Sequence, residues 1–85
     1  MRHRKTASYL NSLRRDVQVV LDEMNETGID LSTAAGDLSV MPVHDIATNP
    51  EKVTYFTKTL AQEYRKLGKL LKQFKIVSVK YSEFF

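Results

Sequence analysis

Eighty-five residues with a net charge of +3 and no cysteine make a single domain, residues 1–85, that is expected to bury only roughly 60–65% of the surface its unfolded form exposes. No disulfide or thiolate metal site reinforces so thin a core, so stability must come from helix packing or from a neighbouring chain. No uncharged stretch approaches the roughly 20 apolar residues of a bilayer span. No apolar run of signal-peptide length follows Met1-Arg2-His3-Arg4-Lys5, because Arg14, Arg15 and Asp16 interrupt it, and the expected location is cytoplasmic or within a larger assembly.

From Thr6 onward Leu10, Leu13, Val17, Val20 and Met24 step by alternating gaps of three and four, which predicts an amphipathic helix over about 6–27. Val19 and Leu21 widen its apolar stripe beyond that of a minimal two-stranded coil. Gly28 is the expected stop, by the left-handed conformation that glycine adopts at little cost after a helix. With that boundary, Asp22, Glu23 and Glu26 crowd the negative end of the helix dipole, an unfavourable order.

A 22-residue connection follows, partly ordered because Ile29, Leu31, Leu38, Val40, Met41, Val43 and Ile46 make it too apolar for a free linker. Asp30 is a candidate cap for a short helical turn ended by Gly36, with Leu38 to Val43 extended beyond it. Thr48 and Asn49 are capping residues and Pro50 suits a first helical turn. They predict a second long helix over about 50–75, whose apolar side carries Val53, Phe56, Leu60, Leu67, Leu70 and Phe74. Gly68 inside it costs about 1 kcal/mol relative to alanine, which favours a close helix crossing there. The tail has two readings. Phe74, Val77, Tyr81 and Phe84 continue the helical spacing, whereas Val77, Val79 and Tyr81 alternate as a strand. The preferred expectation is an extended tail pairing with Leu38 to Val43. The fold class is thus mostly α, with two long amphipathic helices in one small domain.

Charge falls in blocks. Residues 1–15 carry five basic side chains and no acidic one, residues 16–51 eight acidic and no basic, and residues 52–85 eight basic and two acidic. Blocks of one sign gain by meeting the other sign, within the chain or across an interface. An antiparallel hairpin of the two helices would be a polarised rod, suited to head-to-tail contact; a parallel or intermolecular arrangement would pair the blocks directly.

Catalytic constellations are missing. His44 beside Asp45 lacks the third group and pocket that acid–base chemistry needs, and no phosphate loop or metal-ligand spacing occurs. No enzyme activity, cofactor or small-molecule substrate is expected. The apolar helical surface exceeds what so short a chain covers alone, which points to a non-enzymatic assembly or adaptor protein that oligomerises or docks on a larger complex. Small components of viral particles and regulators of complexes both fit that description. Its interface would use Leu10, Leu13, Val17, Val20, Met24, Val53, Phe56, Leu60, Leu67, Leu70, Phe74, Phe84 and Phe85. The alternative is a nucleic-acid accessory protein gripping phosphates with Arg2, Arg4, Lys5, Arg14, Arg15, Lys66, Lys69 and Lys72. An anionic membrane surface is a weaker third partner for the basic stretch 64–75.

Overall fold

In the computed structural model, which describes residues 2–85 and the side chains of residues 7–85, the apolar series of the first helix does not stop at Gly28. It runs on through Thr27, Leu31, Ala34 and Leu38 at the same alternating gaps, and every one of these residues is buried or half-buried. One unbroken helix, α1 (Arg2–Ser39), carries the whole series. The expected stop and the 22-residue connection are therefore corrected. A glycine in a helix interior costs about 1 kcal/mol, less than the seam gains by continuing, and Gly28 keeps a negative φ. The boundary also places Asp22, Glu23 and Glu26 mid-helix, leaving Asp37 as the acidic residue of the last turn.

α1 ends where the proline ahead biases its neighbour away from helical geometry. The Met41 amide turns back to the Leu38 carbonyl at 3.3 Å, and Pro42 is extended with ψ 141°. A short helix, α2 (Val43–Thr48), then bridges to α3 (Pro50–Ser82). Residues 30–39 are helix rather than a capped turn and an extended segment. Lys52 Nζ reaches Asp45 Oδ2 at 3.2 Å between α2 and α3, a surface pair that contributes about 0–1 kcal/mol.

The start of α3 agrees with its sequence signals. Asn49 Oδ1 accepts the Lys52 amide at 3.3 Å, Pro50 opens the helix, Glu51 lies in the first turn and Lys80 in the last. Replacing Asn49 with alanine is expected to cost about 1 kcal/mol, read as a melting point lowered by a few degrees; an unchanged melting curve would show that the cap contributes nothing. At the other end the tail is helix through Ser82, so the preferred extended strand is overturned and the alternative continuation is what occurs. Among the described residues there is no strand.

α3 repeats the pattern of α1. Val53, Phe56, Leu60, Glu63, Leu67, Leu70, Phe74, Val77, Tyr81 and Phe84 step by three and four, and all are buried or half-buried. The two helices pack antiparallel along their length as a hairpin of 69 × 16 × 15 Å. Tyr9 and Phe84 fix the register at the open end, with ring centroids 5.6 Å apart. With the seam residue next to Tyr9, Leu10, level with Phe84, counting inward brings Val20 level with Phe74, Met24 with Leu70 and Ala34 with Leu60. The interior is one seam, not a two-sided core. Among the described residues its apolar buried side chains are Leu13, Val20, Ala34, Met41 and Leu70, and Thr27 is the one fully enclosed.

Candidate interaction surface

A hairpin with a single seam has two long flanks, and here they differ in chemistry. One flank carries the residues that precede alternate seam positions: Asp16, Glu23, Asp30 and Asp37 on α1, with Thr59, Lys66, Gln73 and Lys80 on α3. Two shallow recesses confirm that these rows from both helices share a side. Asp16, Val19, Val20, Glu23, Gln73, Ile76 and Val77 line one of about 330 Å³. Asp30, Asp37, Tyr55, Thr59 and Glu63 contribute to another of about 280 Å³. This flank is charged, acidic along α1 and basic along α3.

The opposite flank carries the residues that follow the other alternate seam positions. On α1 these are Arg14, Leu21, Gly28 and Ala35, with Asn11, Gln18, Asn25 and Ser32 beside them. On α3 they are Thr57, Tyr64, Leu71, Ser78 and Phe85, with Thr54, Ala61, Gly68, Lys75 and Ser82 beside them. Arg14 and Lys75 are its only charges among the described side chains. Leu21, Tyr64, Leu71 and Phe85 are exposed there, the last two at 50% and 86%. A Cβ built on Gly28 or Gly68 would meet nothing within 4 Å. The close crossing expected at Gly68 is therefore absent from the hairpin itself.

Among the expected interface residues, Leu13, Val20 and Leu70 are buried in the seam, and Leu10, Val17, Met24, Val53, Phe56, Leu60, Leu67, Phe74 and Phe84 are half-buried along it. The chain brings these together within itself. Phe85 stands apart, exposed, with its ring 5.2 Å from that of Tyr81. Of the expected anion-binding residues, Arg14, Arg15, Lys66, Lys69 and Lys72 are exposed, while the side chains of Arg2, Arg4 and Lys5 lie outside those described. His44 is exposed on α2. Among the described residues no three His, Asp or Glu side chains come together as a cation site.

Two polar residues occupy seam positions that the sequence reading passed over. The Thr27 hydroxyl is enclosed without a hydrogen-bond partner, and so is Oε2 of half-buried Glu63. Both are found by extending the alternation of three and four through residues that are not apolar. Their positions, one turn apart near the middle of the rod, mark it with a polar step between apolar stretches. Comparison with protein-family models, with curated proteins and with solved structures finds no match to this chain.

Proposed function

We propose that this chain is a non-enzymatic assembly or adaptor protein that associates with itself or docks on a larger complex through the sides of its helical hairpin. The supporting observation is the amount of surface left over. The hairpin exposes 6930 Å², whereas a compact protein of 9.8 kDa exposes about 5,200 Å². By the same scaling it buries about half of its unfolded surface, short of the fraction expected from its length alone. The difference is the cost of a rod with one seam, and exposed apolar side chains lie on both flanks, as well as on the outer faces and at the connection. Association along a flank would bury Val19 and Ile76 on one side, or Leu21, Tyr64 and Leu71 on the other.

The test is recovery of the chain from its native source at low and then high salt, together with its own sedimentation behaviour. Association that survives high salt is expected, because apolar contacts are not screened as charges are. A stable monomer that recovers no protein partner would overturn the proposal.

A second reading has its own support in the exposed basic side chains, with Lys58, Arg65 and Lys72 in one row on the outer face of α3 and Arg14 and Arg15 on α1. None of these makes an ion pair among the described residues. As a nucleic-acid accessory protein the chain would bind without sequence preference, with an affinity falling by about 0.9 logarithmic units per tenfold salt for each phosphate contacted. Absence of retention on DNA and RNA at low salt would dismiss this reading.

A further inference from the structure

We propose that the uncharged flank is the contact surface for a second copy of this chain, which docks with its long axis reversed to form an antiparallel four-helix bundle. The inference rests on the assembly reading and names its partner. Its first basis is chemical. Leu21, Tyr64, Leu71 and Phe85 are exposed on this flank, and Arg14 and Lys75 are its only charges among the described side chains. A surface with so few charges can meet itself without desolvating many ions. The opposite flank would have to desolvate its acidic and basic rows to do the same.

Area is sufficient. A side 69 Å long and about 16 Å wide covers about 1,100 Å² per copy, or about 2,200 Å² in total, against the roughly 1,200–2,000 Å² of a stable interface.

Charge selects the orientation. Residues 26–68, the half of the rod nearest the connection, carry six acidic and four basic side chains; residues 7–25 and 69–85, the open half, carry six basic and four acidic. Reversing one rod lays each positive half over the other copy's negative half. It also sends Arg14 and Lys75, both in the open half, onto an uncharged part of the partner's flank. Stacking the rods with like ends together would gather all four of these cations in one place.

Shape agrees with this arrangement. In a two-fold dimer of reversed rods, each α1 lies along the second copy's α1 and each α3 along its α3. At full overlap Leu21 falls beside the second copy's Gly28, and Leu71 beside its Gly68. Both glycines have open space where a side chain would be.

The experiment is sedimentation equilibrium of the full chain and four kinds of variant, each checked for helical content by circular dichroism. The wild-type chain is expected to be a dimer. Leu71→Glu should weaken the dimer roughly a hundredfold, because each interface loses two leucines and gains two charges. Gly68→Leu fills the gap and should also give monomers with helicity intact, since the hairpin alone has room for the added side chain. Gln62→Glu, on the charged flank, should remain dimeric. Orientation is read from single cysteines placed in a chain that has none. Asn25→Cys lies near the two-fold axis and should form disulfide-linked dimers, whereas Ser82→Cys lies at opposite ends of the bundle and should not.

A chain that stays monomeric, a dimer indifferent to Leu71→Glu and Gly68→Leu, or cross-linking through Ser82→Cys in place of Asn25→Cys would overturn this inference. A monomer that recovers a different protein from its source would sink the self-docking inference while leaving the adaptor reading intact. A monomer that recovers nothing sinks both.

Discussion

Leu70→Ala is expected to remove most of the stability of the hairpin. Leu70 is 5% exposed and is the buried residue of α3, level with Met24 in the middle of the seam. A leucine truncated in such a position costs about 2–5 kcal/mol, through lost transfer energy and the cavity left behind. A core this small supplies only about 3–5 kcal/mol of net stability, so the loss is comparable with the whole. Thermal unfolding followed by circular dichroism should show the midpoint lowered by roughly 10–30 °C, or no folded baseline at all. Val79→Ala is the control. Val79 is 51% exposed on the outer face of the same helix, and its truncation should change stability by no more than about 0.5 kcal/mol. Equal losses from the two variants would show that the seam has been placed on the wrong face of α3.

The second large effect runs the other way. Thr27→Val removes a hydroxyl that is fully enclosed and without a partner while nearly keeping the volume of the side chain. An unsatisfied buried polar group costs about 1–3 kcal/mol, so the valine variant should melt higher. Glu63→Leu replaces a half-buried carboxylate, one of whose oxygens is enclosed and unpartnered, with a side chain suited to its place opposite Leu31. The double variant should gain roughly 2–4 kcal/mol, with some coupling because the two positions are one turn apart. A lower melting point for Thr27→Val would mean that the hydroxyl has a partner after all.

Much of this architecture was legible in the sequence. The alternating gaps at Leu10 to Met24 and at Val53 to Phe74 identified both long helices, and Asn49-Pro50 marked the start of the second. What misled was treating the apolar series as ended wherever a polar or small residue interrupted it. Thr27 followed by Gly28 looked like a terminus, yet Leu31, Ala34 and Leu38 resume the count at the correct phase. Packing along the whole partner helix outweighs one glycine. The tail was ambiguous for a related reason: Val77, Val79 and Tyr81 have the composition of a strand, but only the helical phase aligns Val77, Tyr81 and Phe84 with Val17, Leu13 and Leu10. The unequal flanks were harder to see. They become visible only after the seam has been phased, since Leu21, Gly28 and Ala35, or Tyr64 and Leu71, share no obvious pattern until each is placed one position beyond a seam residue.

The connection over residues 40–49 also sets the order in which the seam can close. Met41 and Val53 stand at the two ends of the short bridge of α2, and each successive layer toward Leu10 and Phe84 closes a longer loop, at an entropic cost that rises only slowly with its length. The hairpin can therefore form like a zipper drawn from the bridge toward the chain termini, with each closed layer shortening the effective loop for the next. Opening proceeds in reverse, so Tyr9 and Phe84 part first and the turn at Pro42 last.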